Sequence, residues 1–168
     1  MLDRRQPAYR NMLAWHVTST ADALRRGAAM QMRREHDVSL AQVRILALID
    51  SLQPVRLRDV AADAGADKAQ ISRVVSSLVK RGYVARQALE GDARSAHLAL
   101  TEDGRQKMHA LVRTMSDRDA HLRSTMQAAE IDQLTTLLAR VRKTADELAV
   151  HEERFGERES GAAQAAAG

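Results

Sequence analysis

Residues 67–82, Asp-Lys-Ala-Gln-Ile-Ser-Arg-Val-Val-Ser-Ser-Leu-Val-Lys-Arg-Gly, leave little freedom in what this chain can fold into. Asp67 and Gln70 have capping-box spacing: one side chain takes the amide three residues on, and the other reaches back. Ile71, Val74, Val75 and Leu78 follow at i, i+3, i+4 and i+7, so one face of the helix must be buried. Lys68, Gln70, Ser72, Arg73, Ser76 and Lys80 fall largely outside that stripe, and Gly82 ends the helix. Two extended runs come next, 83–89 and 96–100. Residues 90–95, with Gly91-Asp92, join them as a hairpin loop. A helix with basic and amide groups on its free face, followed by a basic hairpin, is a device for reading DNA.

The flanking sequence is helical. A first helix is expected from near Pro7, which suits an early helical position, to about Arg34. Leu13, Val17, Ala21, Leu24 and Ala28 form its stripe, widened by Met12, Trp15 and Met30. Ser39 and Gln42 make a second capping box, opening a helix that Pro54 stops after about Leu52. A short helix over 58–64 has Leu57, Val60, Ala61 and Ala64 on its inward side and Gly65 as its breaker. Thr101 caps a fifth helix, with Glu102 and Asp103 in the first turn complementing its dipole. Met108, Leu111, Val112, Met115, Leu122 and Met126 mark its apolar side.

A sixth helix is expected over 130–151. Ile131, Leu134, Leu138, Val141, Ala145 and Leu148 alternate spacings of three and four, a heptad seam for helix-to-helix packing. The chain therefore divides into a dimerisation helix (1–36), a DNA-binding domain (37–104), C-terminal dimerisation helices (105–153) and a disordered tail (154–168). The expected class is mainly α with a small β-hairpin wing: a winged helix-turn-helix plus long dimerisation helices.

Composition agrees. Aromatic residues make up 2% of 168 positions and prolines number two, which favours helices over strands. The net charge of +4 suits a polyanionic partner. Between Pro54 and Thr101 there are eight Lys/Arg against five Asp/Glu. The sequence has no cysteine, which removes disulfides, thiolate metal sites and thiol redox sensing. The six histidines are scattered, so no metal site is expected, and no cofactor motif is visible. No apolar run approaches the ~20 residues of a membrane span, and the first residues have no signal-like core. A cytoplasmic protein is the expectation.

In a winged helix-turn-helix the second helix of the pair enters the major groove, with its N-terminal residues facing base edges. Gln70 suits adenine and Arg73 guanine, each by paired hydrogen bonds. Lys68, Ser72, Ser76 and Lys80 complete the expected contacts; Ser72, Ser76 and Lys80 suit phosphates, which set register without reading sequence. Arg94 suits a narrow minor groove, and Asp92 suits orienting an arginine by a charge-assisted bond.

The residues Ser72-Arg73, Leu78-x-x-Arg81-Gly82-Tyr83-Val84, Asp92-Ala93-Arg94 and Leu100-Thr101-Glu102-x-Gly104 resemble the MarR family of bacterial transcriptional regulators. At motif level the resemblance spans 39–104; the flanking helices match in length and pattern. The family usually has Asp-Arg-Arg in its wing, so Ala93 implies one weaker backbone contact. The resemblance implies a homodimer through the first, fifth and sixth helices, with two lobes on successive major grooves of a pseudopalindrome. It also implies repression relieved by a small aromatic acid or phenol, bound where the dimer helices meet the lobe. By that analogy Trp15, which can stack on a ring, and His16, which can bind a carboxylate, lead the effector candidates, with Ser19, Arg44, His109 and Arg113 behind them.

Two other readings stay open. One is a winged-helix protein-interaction module without specific DNA binding, against which the basic helix face and Arg94 speak. The other is an enzyme, for which no nucleophile–base pair, phosphate loop or metal cluster is visible.

Overall fold

The computed structural model describes the backbone of residues 8–65, 67–89 and 92–166, with side chains for all of these but 88, 89, 92–96, 154 and 156–166. The chain divides into two compact units, one up to Met115 and one from Ser116 on.

In the first unit a single 3-10 turn, Ala8–Asn11, precedes α1 (Leu13–His36). The helix starts later than Pro7 suggests. Met12 is extended (φ −76°, ψ 141°), which interrupts any helix begun upstream. The helix also runs two residues past Arg34. Asp37 then adopts the left-handed conformation (φ 55°) and reverses the chain, its N–H bonding to Arg33 O. Of the apolar stripe of α1, Leu13 and Leu24 remain exposed, and the one buried residue of the helix is Met32.

The second helix, α2 (Leu40–Leu52), opens on the expected capping box. Ser39 Oγ accepts the Gln42 N–H at 3.2 Å and Gln42 Oε1 accepts the Ser39 N–H at 2.8 Å. Its inner side is Val43, Ile45, Leu46 and Ile49. A cis Gln53–Pro54 bond leads into β1 (Val55–Arg56), a strand too short for any alternation to announce it. Then come α3 (Leu57–Ala64), stopped by Gly65 at φ 56°, and α4 (Lys68–Lys80).

The sheet has the order β1-β3-β2, all antiparallel, with β2 at Val84–Leu89 and β3 at Asp92–Leu100. β2 begins one residue later than expected and β3 four residues earlier. Pairing continues past an irregularity at Ala88/Leu89 to Leu89↔Asp92, so 92–95 are strand and not loop. Ladder hydrogen bonds need only backbone, whereas the sequence pattern lapses where the side chains become small and polar.

The core unites Leu46, Ile49, Val60, Val75, Leu78, Leu98 and Leu111, drawn from α2, α3, α4, β3 and α5 (Glu102–Arg123). Thr101 Oγ1 accepts the Gly104 N–H at 3.0 Å, the expected cap, and donates to Gly82 O at 2.6 Å. Gly104 itself is required. A Cβ there would overlap the carbonyl oxygen of Tyr83, which already accepts the Thr101 N–H. Met126 lies beyond the end of α5 rather than on its stripe.

The second unit contains α6, Ala128–Ala166, opened by Gln127 N–H donating to Glu130 Oε2 at 2.8 Å. It starts two residues before the expected 130 and continues well past 151, through most of the tail expected to be disordered. Alanine is the strongest helix former, and the alanines of 162–166 sustain helical backbone without needing an amphipathic stripe. No described side chain of α6 is buried, and Leu134, Leu138 and Leu148 of the seam are exposed. Among the described residues no helix is long and apolar enough to cross a membrane.

Candidate nucleic-acid interface

The orientation of α4 is set by what it buries. Ile71, Val75 and Leu78 face the core. Asp67 Oδ2 accepts the Gln70 N–H at 3.0 Å, so one of the two capping-box bonds forms and fixes the first turn. Among the described residues the Gln70 amide does not bond back. A further clamp holds the far side: Gln42 Nε2 donates to Ser77 Oγ at 3.1 Å, tying the cap of α2 to α4.

With that side fixed, Lys68, Gln70, Arg73, Ser76 and Lys80 are exposed, while Ser72 and Val74 are half-buried. Gln70 and Arg73 are one turn apart and share a face. None of the five exposed side chains makes a hydrogen bond or ion pair among the described residues. The arrangement offers one amide and three cations, unengaged, along a rigid rod.

At the base of the hairpin Arg56 and His97 face each other in register. Arg56 Nε donates to His97 Nε2 at 3.3 Å, and His97 is buried with Nδ1 unbonded among the described residues. No sequence signal marks this pair, because β1 is two residues long and His97 is apart from any motif. The side chains of Asp92 and Arg94 lie outside the described ones. Their backbone places both on β3, with Asp92 pairing with Leu89.

The end of α4 is tied to α1. Arg81 bonds to Asp37 through both its carbonyl and its carboxylate. The ring of Tyr83 has two cations close to it, with Arg81 at 5.3 Å and Lys107 at 5.4 Å from its centroid. His36 Nε2 meets Thr114 Oγ1 at 2.8 Å, and Lys107 Nζ donates to His36 O at 3.4 Å. Two carboxylates are held below their usual range: Glu35 by hydrogen bonds from Arg34 and Gln31, Glu102 by those from Arg105 and Gln106.

The effector candidates lie on three helices, α1, α2 and α5. Trp15 stacks edge-on against Tyr9 at 5.2 Å with the Arg10 guanidinium 5.5 Å from its ring. His16 is exposed, and Ser19 Oγ turns back to His16 O at 3.3 Å. His109 and Arg113 are exposed on α5. Arg44 is elsewhere, lining a groove of about 250 Å³ together with Gln70, Ile71 and Val74. That groove includes none of Trp15, His16, Ser19, His109 or Arg113. Among the described residues no group of three or more metal-ligating side chains occurs.

Comparison with known proteins agrees with this architecture. The model of the MarR family matches residues 38–96. The chain is 31% identical over 114 residues to the HTH-type transcriptional regulator BilQ of Clostridium symbiosum (strain WAL-14163), over 66% of this chain and 77% of that protein. Its fold is similar to that of a MarR/EmrR family transcriptional regulator from Acinetobacter sp. ADP1, with a TM-score of 0.70 at 22% identity, covering 84% of this chain and 99% of that one. It is also similar to Streptococcus pneumoniae FabT, solved in complex with DNA, with a TM-score of 0.72 at 20% identity over 81% and 96% of the two chains. The matched segment holds α2, β1, α3, α4, β2 and most of β3, and by that match and its likeness to BilQ the chain belongs to the MarR family, whose members are transcriptional regulators and not enzymes.

Proposed function

We propose that this chain is a homodimeric repressor that reads a pseudopalindromic operator with α4 and is released by a small aromatic acid or phenol. The observation that carries the reading is the pair Gln70 and Arg73. They are exposed, unengaged and one turn apart, on a helix whose other side is locked by Ile71, Val75, Leu78 and the Asp67 cap. Such side chains form paired hydrogen bonds with adenine and guanine edges. Lys68, Ser76 and Lys80 flank them for phosphates, with Ser72 partly sunk beside them. Arg94, with Asp92 orienting an arginine, supplies the minor-groove contact from the wing. FabT, solved on DNA, shares the fold.

Self-association is supported by the exposed leucines of α6 at heptad spacing and by the exposed Leu13 and Leu24 of α1. One lobe reads half a site, and a two-fold partner supplies the other half at fixed spacing. Trp15 and His16 offer a stacking surface and a polar group to an aromatic acid. Ser19, His109 and Arg113 are its secondary partners.

The test is a gel shift on DNA upstream of the gene. Arg73→Ala flattens discrimination at one base pair by about 1–3 kcal/mol. Lys80→Ala weakens all sequences alike and lowers the salt slope by about 0.9 per contact. Intact discrimination in Arg73→Ala would remove the base-reading role. Aromatic acids that raise the melting temperature are expected to release the bound DNA.

A further inference from the structure

Two grooves on the first unit meet at Leu40. One, of about 250 Å³, contains Gln70 of α4 and Arg44 of α2. The other, of about 290 Å³, contains Arg25, Arg26 and Arg33 of α1 beside Ser39. Leu40 lines both. The depression they form has a common wall at Leu40, in the first turn of α2, with Gln70 of α4 lining one part and α1 lining the other.

Its charge is one-sided. Among the described residues Asp22 is the only acid lining either groove, and Arg25 holds it at 3.3 Å. Arg26, Arg33 and Arg44 are exposed and make no ion pair among the described residues. Arg34, next in sequence to Arg33, is by contrast paired with Glu35 at 2.6 Å and lines neither groove.

We propose that Arg26, Arg33 and Arg44 form a track for the phosphate backbone of DNA flanking the bases that α4 reads. The inference rests on the assignment of α4 to DNA. Three features select a polyanion over a small acid. The cations are spread over two helices and two grooves. Arg26 and Arg33, seven residues apart, are separated by about 10 Å along their helix, more than one carboxylate spans. The groove that holds Arg44 also contains Gln70, already assigned to the DNA interface. The first turn of α2 adds the favourable end of its dipole to the same depression.

The experiment measures binding of the full chain to a mixed-sequence DNA duplex across a salt series. The variants are Arg26→Gln/Arg33→Gln/Arg44→Gln, the same three positions changed to Lys, Arg34→Gln and Arg73→Ala. Loss of three phosphate contacts lowers the log–log salt slope by about 2.7 per protomer, so the wild-type advantage grows about 40-fold between 200 and 50 mM salt. The lysine triple variant keeps the slope and Arg34→Gln leaves it unchanged. Thermal melts of each variant confirm folding.

A triple-Gln slope equal to wild type, with Arg73→Ala still weakening binding, overturns the track and leaves the α4 assignment standing. Absence of salt-dependent binding by the wild type sinks that assignment as well. If benzoate or inorganic phosphate stabilises the wild type but not the triple-Gln variant, whose DNA slope is unchanged, the depression is a small-anion site and the proposal is wrong.

Discussion

The carboxylate of Asp37 lies 3.0 Å from Nη2 of Arg81, joining the left-handed residue that ends α1 to the residue that ends α4. Asp37 is largely exposed and Arg81 is not. The pair thus adds little to stability while linking the end of α4 to α1. The two residues should respond differently to substitution. Asp37→Asn keeps a residue that tolerates positive φ and should cost at most about 1 kcal/mol. Asp37→Val should cost about 1–2 kcal/mol more, because a branched side chain is strained at φ 55°. Urea unfolding midpoints distinguish the two. Equal midpoints would mean that the left-handed turn relaxes freely.

Gly104→Ala tests the seam between the start of α5 and the end of α4. Alanine is the better helix former by about 1 kcal/mol, yet its Cβ would overlap a backbone carbonyl that cannot rotate away. Overpacking of this kind costs about 1–3 kcal/mol. A net loss of stability is expected in chemical denaturation, and a gain would show that α5 shifts without penalty.

The acid side of the stability profile should carry a small signature of Glu102. Its folded pKa is lowered from the ordinary 4.5, chiefly by the Arg105 hydrogen bond and then by Gln106. Its contribution is therefore fully present above 4.5 and fades as pH falls through the lowered folded value. The melting-temperature difference between wild type and Glu102→Gln should shrink as pH drops below that range. A difference constant with pH would show that the bonds to Arg105 and Gln106 do not persist in solution.

The exposed seam of α6 makes a direct prediction about assembly. Leu134→Asp/Leu138→Asp should convert a dimer to a monomer in light scattering and remove the concentration dependence of melting. A variant with unchanged mass would place self-association elsewhere.

Much of the first unit was legible in the sequence because its signals are local. The Ser39–Gln42 box, the Asp67 cap, the Ile71–Val75–Leu78 stripe and the Thr101 cap each depend on residues within two helical turns. Each appears in the fold where its spacing puts it. α1 begins later than Pro7 suggests, because that proline permits a helix start but does not compel one. The second strand of the hairpin outruns its apolar pattern, because ladder pairing needs no apolar side chain. The end of α6 carries no sequence signal, because helix propensity without amphipathicity resembles disorder.

The sequence by itself determined the helix faces, the caps and the basic side of α4, since all of these follow from periodicity and short-range hydrogen bonding. Tertiary structure alone decided which distant residues meet. It set Gln42 on Ser77, Asp37 on Arg81 and Arg56 against His97. It also set Arg44 and Gln70 on one groove. Contacts across tens of residues depend on how helices cross and strands pair. No short window of sequence encodes those geometries, which exist only once the shared core has closed.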